Sequence, residues 1–157
     1  HDAKDIYGKT KSLGEINKKN FFNLRCSIIG EEILHKKSLL EWFKNLEEGS
    51  KVTGFLNHEW NGVSTKVFAE LLKTIILKNI RLPNLLHIVP QNSVNKYQLL
   101  KLFSERFFRK DVVIKKGKSN LAVNRTLSTI NKKINLEIWN KSVYKKILNI
   151  KDIVENI

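Results

Sequence analysis

Cysteine and glycine are scarce in this sequence of 157 residues, which contains one cysteine and seven glycines. A single cysteine, Cys26, excludes an internal disulfide and a paired-cysteine zinc site, and it fits a reducing compartment. We expect this thiol to be a small buried group on a strand rather than a reactive one. Because no charged and then apolar leader opens the sequence, we also expect a cytoplasmic protein.

Long apolar runs and the common catalytic fingerprints are absent as well. No apolar stretch approaches the ~18 residues that a membrane-spanning helix needs, so we expect no membrane partner. The sequence has no Gly-x-Ser-x-Gly elbow and no Walker loop. His58 and Glu59 are adjacent, but His35 and His87 are distant in the sequence, which predicts no metal site. The apolar neighbours of His87 predict a core histidine.

Acidic residues are few, since 15 aspartates and glutamates face 29 lysines and arginines, a formal net charge of +14. Such a surplus is typical of proteins that bind a polyanion. The lysines are nevertheless scattered, and no zinc spacing, recognition helix or aromatic-basic motif concentrates them. We favour a solvated surface without specific nucleic-acid binding, which leaves room for a basic patch that binds a diphosphate. The alternative is a stand-alone basic binding module for an anionic partner such as nucleic acid.

The length and the hydrophobic content of 41% predict one core rather than two full domains. Apolar periodicity and the caps Ser38, Ser64 and Ser93 predict helices at 2–18, 38–46, 64–77, 93–107 and from 141 onward. Strands are predicted at 21–29, 51–55, 85–89 and 112–115, and loops at 57–62 and 124–128. The strand at 21–29 is apolar enough to be buried on both faces. A ligand crevice is then expected beyond its carboxyl end, at residues 27–32.

The segment most informative about chemistry is Tyr-Gly-Lys-Thr-Lys-Ser-Leu-Gly-Glu at residues 7–15. In a helix, residues four apart lie on one face, so Tyr7 and Lys11 would point the same way. A cation beside a phenol lowers its pKa from the usual value of about 10, which suits a general acid. Tyr97 and Lys101 share the spacing, but Tyr97 belongs to a core-facing helical stripe. The small residues after Tyr7 indicate close approach by a ligand or a helix.

This segment, together with Asn-Leu-Arg-Cys-Ser-Ile-Ile-Gly at residues 23–30, resembles the extended short-chain dehydrogenase/reductases. Within them it is most similar to the nucleotide-sugar reductases of the dTDP-4-dehydrorhamnose reductase group, and the resemblance covers the whole chain. It implies an α/β fold. Residues 1–35 would be the last helix and strand of a Rossmann-type, doubly wound dinucleotide-binding domain, and residues 36–157 a small α+β substrate-binding lobe.

The resemblance also implies an oxidoreductase that uses NADP or NAD. Its partner would be a 4-keto nucleotide-sugar, reduced during the synthesis of a deoxysugar for surface polysaccharide, and a homodimer is a further expectation. The glycine-rich turn that holds the cofactor's pyrophosphate in this family is missing from the sequence. We therefore expect the C-terminal half of such a reductase, inactive alone.

Site residues follow from the same resemblance. Tyr7 is the proton donor, and Lys11 tunes Tyr7 and holds the hydroxyls of the nicotinamide ribose. The other implied cofactor contacts are Arg25, Cys26 and Ser27. The implied substrate contacts are Glu32, Asn57, Trp60, Asn61, Arg125 and Ser128, with Arg125 near the diphosphate.

Two of these assignments have alternatives that stay open. Trp60 could be a packing anchor beneath its own loop. Arg125 could be half of a surface ion pair, because Thr126 replaces the proline that often follows this arginine in the family.

The dispersed charge makes a prediction about DNA binding. If the surplus is a solvated lysine surface, binding is weak, independent of sequence and lost at moderate salt. Each neutralised phosphate contributes about −0.9 to the slope of log affinity against log salt concentration, so a few loose contacts disappear quickly. Fluorescence anisotropy with two unrelated duplexes at several salt concentrations measures this slope. A sequence-selective complex that survives physiological salt would favour the binding module instead.

Overall fold

The computed structural model describes residues 6–157, apart from the side chain of Tyr7. The helices are α1 (Ile6–Leu13), α2 (Leu39–Lys44), α3 (Thr65–Leu77), α4 (Lys96–Arg106), α5 (Lys132–Lys141) and α6 (Ile150–Glu155). The strands are β1 (Asn23–Arg25), β2 (Ile28–Ile29), β3 (Lys51–Phe55), β4 (His58–Trp60), β5 (Val63–Ser64), β6 (Leu85–His87), β7 (Val94–Asn95), β8 (Val113–Gly117) and β9 (Val123–Arg125). Within this range every helix is too short or too polar to cross a membrane.

Most of the strand pairs are parallel. β1 pairs with β6, β2 with β5 and β3 with β8, all in parallel. β4 lies between β7, which is antiparallel to it, and β9, which is parallel. Parallel neighbours need long crossover connections, and helices between the paired strands supply them here. The predicted α/β class is therefore confirmed.

Helices α3 and α4 both begin at polar caps. The Ser64 hydroxyl accepts a hydrogen bond of 3.2 Å from the Val67 backbone N–H, so α3 begins where its cap predicts. The predicted cap of α4, Ser93, is wrong by two positions. Asn95 caps that helix instead, because Asn95 and Gln98 form a reciprocal capping box with both hydrogen bonds at 2.9 Å.

Helix α2 has a cap but only half of the predicted capping box. The Ser38 hydroxyl accepts from the Glu41 backbone N–H at 3.3 Å. The Glu41 carboxylate does not return to Ser38. It accepts from the Glu32 backbone N–H at 3.2 Å and so fixes the segment that leads into the helix.

The prediction of one buried strand at 21–29 is wrong. Two short strands, β1 and β2, occur there and pair with different partners, β6 and β5. The chain changes partner at Ser27, whose carbonyl oxygen accepts from the Val63 N–H at 2.9 Å. Ile28 remains 51% exposed, so the segment is not buried on both faces. Cys26 accordingly lies half-buried between two strands rather than on one.

The helix predicted at 2–18 ends early. Residues 2–5 lie outside the described part of the chain, and α1 ends at Leu13, just before Gly14. The following turn is tied to β1 by the Asn23 amide, which accepts from the Ile16 N–H at 3.1 Å and donates to its carbonyl at 3.0 Å. A side chain that binds both backbone groups of Ile16 prevents the helix from continuing.

The C-terminal prediction is only partly wrong. Helix α6 lies within the helical region predicted from residue 141 onward, but α5 ends rather than begins at Lys141. Helix α5 has no side-chain hydrogen bond at its N-cap, so its start carries no capping signal. Tertiary contacts hold it instead. The Asn135 amide accepts from the Val89 N–H at 3.2 Å and donates to the Val89 carbonyl at 3.1 Å, and the Trp139 indole N–H donates to that carbonyl at 3.2 Å.

The core lies between the helices and the parallel strands. Helix α4 packs on β3 and β8 on one side and on α6 on the other. The large side chains that are fully buried include Phe43, Leu71, Leu100, Phe103, Trp139 and Ile153. The start of α4 crosses β3 at Gly54, where an added Cβ would lie 2.5 Å from the Tyr97 Cα. This crossing requires a residue without a side chain.

We predict that Gly54→Ala destabilises the chain by about 1–3 kcal/mol, the usual cost of overpacking, because its methyl group would meet backbone atoms of α4. Gly14→Ala is the matched control, since an added Cβ there would lie 3.4 Å from the Lys11 carbonyl oxygen, an ordinary contact. Urea unfolding of both variants measures the difference. Equal free energies of unfolding for Gly54→Ala and the parent chain would contradict the tight crossing.

Candidate functional site

A cavity of about 540 Å³ lies along β4 and β9 and beyond the carboxyl end of β2. β2 ends at Ile29, and the parallel pair β4 and β9 ends at Trp60 and Arg125. Helices α2 and α4 close the cavity with Leu39, Leu40, Lys96 and Leu99. Crevices at the carboxyl ends of parallel strands are the usual ligand sites of α/β folds.

Three of the residues implied by the resemblance line this cavity, namely Glu32, Trp60 and Arg125. They come from separate parts of the sequence. Trp60 and Arg125 are direct register partners in the β4–β9 pair, and Glu32 follows β2. The fold therefore brings together side chains from three distant segments that the sequence alone could only assign one by one.

Two asparagine clamps hold β9 against β4. The Asn57 amide donates to the Ser119 carbonyl at 2.8 Å and accepts from the Ser119 N–H at 3.0 Å. At the other end of β4, the Asn61 amide donates to the Leu127 carbonyl at 2.9 Å and accepts from the Leu127 N–H at 2.7 Å. Each amide thus replaces one missing step of a strand ladder.

These clamps bear on the predicted substrate contacts of Asn57 and Asn61. Asn61 is only 8% exposed, and both amides are occupied by the protein's own backbone. Among the described residues, neither asparagine lines the cavity. In this arrangement both act on the site by fixing β9, and with it Arg125.

The position of Trp60 bears on both interpretations that its sequence context left open. Its side chain is half-buried and packs against the core, yet it also lines the cavity. A Cβ added to Gly62 would lie 2.4 Å from the Trp60 ring and 2.4 Å from the Ser27 carbonyl oxygen. The indole ring therefore packs directly against Gly62 and has little room to move.

Arg125 is exposed at the cavity edge. In the described part of the chain, no carboxylate lies within 4.0 Å of its guanidinium, so the surface ion pair considered as an alternative does not form there. Thr126 stands where the resembled family often has proline. Its backbone N–H donates to the Asn124 side chain at 2.9 Å, a hydrogen bond that proline cannot make.

The acidic end of the cavity is held by α2. The Glu32 carboxylate accepts from the Lys37 N–H at 2.7 Å, while its own N–H is bound by Glu41. The neighbouring Glu31 forms an ion pair with Lys44, and the hydrogen bond in that pair lowers the pKa of Glu31. Both carboxylates of this segment are thus anchored at the rim.

Three of the lining residues that the sequence interpretation did not assign to the ligand have side chains that can carry charge: His58, Glu59 and Lys96. His58 Nε2 lies 3.2 Å from the Leu121 carbonyl oxygen. The Lys96 ammonium lies 5.6 Å from the centre of the Trp42 ring and 5.5 Å from that of Phe55. These contacts join four separate segments, so no local sequence pattern predicts them.

The residues implied for catalysis and cofactor binding lie elsewhere. Positions 7 and 11 are one turn apart in α1. Arg25, on β1, forms an ion pair with Glu15, and Cys26 follows it. Burial raises the pKa of the Cys26 thiol to about 11, so it is protonated at neutral pH. Of the described residues, Lys11 and residues 25–27 are not among those that line the cavity.

Ser128 also lies outside the described cavity lining. Its backbone carbonyl is 2.8 Å from His87 Nδ1, which must carry the proton because a carbonyl oxygen only accepts. His87 is half-buried at the end of β6, so the prediction of a core histidine is wrong. Within residues 6–157, no group of three or more histidine, cysteine, aspartate and glutamate side chains gathers as a metal site would require.

No protein-family model matches the sequence, and no curated protein matches it either. Solved structures do resemble the fold. The dTDP-4-dehydrorhamnose reductase of Bacillus anthracis, in complex with NADP, aligns with a TM-score of 0.65 and 12% identity over 96% of this chain and 52% of its own. The dTDP-4-dehydrorhamnose reductase of Clostridium acetobutylicum aligns with a TM-score of 0.56 and 14% identity over 85% of this chain and 46% of its own.

A third similar structure is the UDP-N-acetylglucosamine 4-epimerase of Bacillus cereus. It aligns with a TM-score of 0.53 and 15% identity over 96% of this chain and 49% of its own. The chain thus spans about half the length of the structures that it resembles. At such low identities the likeness shows the fold alone, a mixed α/β arrangement similar to that of Rossmann-type reductases.

Proposed function

We propose that the chain is the C-terminal portion of an NAD(P)-dependent oxidoreductase that reduces a 4-keto nucleotide-sugar. The observation that carries the proposal is the cavity along β4 and β9 and beyond the end of β2, which gathers Glu32, Trp60 and Arg125. The fold of the similar reductases, matched over about half of their length, supports it.

The chemistry of the lining suits a nucleotide-sugar. Small-molecule sites combine apolar walls with a few polar groups that orient the ligand. Here Trp60 and the leucines of α2 and α4 offer apolar surface, and Glu32 and Glu59 can accept hydrogen bonds from sugar hydroxyls. Arg125 can meet a phosphate with two parallel charge-assisted hydrogen bonds. Asn57, Asn61 and Ser128 belong to the proposal as residues around this site, the two asparagines through their clamps.

The chain by itself fits only part of a dinucleotide. Lys11 and residues 25–27 are candidates for the nicotinamide end, but the sequence has no glycine-rich turn for the pyrophosphate. The Arg25 guanidinium already pairs with Glu15, and the Cys26 thiol is protonated. The proposal therefore assigns NADP or NAD to the complete protein, where the reduced nicotinamide supplies the hydride.

Catalysis is assigned to α1 by the same proposal. Tyr7 would donate a proton to the carbonyl oxygen of the sugar, and Lys11, one turn further on, would favour the ionised phenol that results. A role in making deoxysugars for surface polysaccharide, a cytoplasmic location and a homodimer accompany this assignment. The basic binding module stays as the competing hypothesis, and the salt dependence of DNA binding separates the two.

We predict that Tyr7→Phe in the complete protein lowers turnover of a dTDP-4-keto-sugar by roughly two orders of magnitude or more, the usual scale for loss of a general acid. Tyr97→Phe is the matched control. It removes the same hydroxyl from a tyrosine that also has a lysine four residues later, but Tyr97 lies at the start of α4 against Gly54. NADPH absorbance follows both variants. Equal turnover in both would remove Tyr7 from the catalytic role.

A further inference from the structure

Lys96 is a half-buried cation without an acidic partner. Its ammonium lies between two aromatic rings, 5.6 Å from the centre of Trp42 and 5.5 Å from that of Phe55. In the part of the chain that the structure describes, no carboxylate comes within 4.0 Å of it. Aromatic faces attract an ammonium without neutralising it, so the full positive charge remains available to a ligand.

The N-terminal cap of α4 does not involve the Lys96 side chain. The Asn95–Gln98 capping box already satisfies the backbone groups there. Other partly buried cations of the chain have evident internal partners. Lys44 pairs with Glu31, and Arg109 pairs with Asp111.

Lys96 and Arg125 reach the cavity from opposite sides of β4. Lys96 directly follows β7, which pairs with one edge of β4, and Arg125 ends β9 on the other edge. Two interstrand spacings separate the backbones of β7 and β9 by about 10 Å. Long side chains that start on these two strands and line the same cavity can reach opposite ends of one diphosphate.

We propose that Lys96 is the second cation of a diphosphate subsite and that it faces Arg125 across β4. This inference rests on the proposed function and names the part of the nucleotide-sugar that the basic side of the cavity holds. A diphosphate can contact both cations at once, whereas a single phosphate satisfies one of them. Trp42 and Phe55 act as positioning residues, because they restrict the rotamers of the lysine and reduce the entropy lost on binding.

The two glutamates that follow β2 belong to a different part of the ligand in this arrangement. Glu31 is already paired with Lys44, and Glu32 is bound by the Lys37 N–H. They offer acceptors to hydroxyl groups rather than to phosphate oxygens. In this arrangement the diphosphate lies between Lys96 and Arg125, and the sugar lies toward the segment after β2.

Calorimetric titration of the chain with dTDP and with dTMP tests the inference. The parent chain is expected to bind dTDP more tightly than dTMP. Lys96→Gln, which keeps the side-chain length, is expected to lower the affinity for dTDP roughly ten- to a hundred-fold, the loss of one hydrogen bond to a charged group. The same change affects dTMP less, so the preference for the diphosphate collapses. Lys96→Arg is expected to restore it.

Lys101→Gln is the matched control. Lys101 lies exposed on the same helix, and its substitution removes the same charge. It should leave both affinities unchanged, and thermal unfolding checks that every variant is folded. If Lys96→Gln keeps the preference for the diphosphate, or if Lys101→Gln loses it to the same extent, the proposed role of Lys96 is overturned. The proposed function is not overturned by either result. Failure of the parent chain to bind either nucleotide overturns the proposed function together with this inference.

Discussion

The site depends on the parallel pairing of β4 with β9, two strands of three residues each. Strands this short gain few ladder hydrogen bonds, and their partners are far apart in the sequence, so closing the intervening loop costs entropy. The asparagine clamps of Asn57 and Asn61 offset that cost by adding two side-chain bonds at either end. They thereby help to hold Arg125 beside Trp60.

The charged side chains of this protein are of two kinds: those paired within the protein and those available to a ligand. Arg109 illustrates the first kind, because its guanidinium donates to the Lys44 and Leu46 carbonyls and pairs with Asp111, whose pKa it lowers. Arg125 and Lys96 illustrate the second kind, since neither has an acidic partner in residues 6–157 and both line the cavity. The net charge of +14 alone could not distinguish the two kinds of side chain. The contacts that each side chain makes in the folded protein distinguish them.

Caps and apolar periodicity in the sequence predicted the helices and strands that depend on interactions between residues close in the sequence. The Ser64 cap and the apolar period gave α3, and the alternation at residues 51–55 gave β3. Strands β4 and β9 were predicted as loops because their pairing is non-local and their polar residues look like turns. The same limit applies to the site. Trp60 and Arg125 were assigned through a family resemblance, whereas Lys96 was missed because only the packing of Trp42 and Phe55 makes it distinctive.

The central claim is that the cavity bordered by Trp60 binds a nucleotide-sugar. The most direct measurement follows the indole N–H resonances of the three tryptophans during titration with dTDP-glucose. Trp139 is the internal reference, because it is fully buried and its N–H donates to the Val89 carbonyl at 3.2 Å. We predict a saturable shift at Trp60 with Trp139 unchanged. A saturated complex that leaves the Trp60 resonance in place would contradict the account.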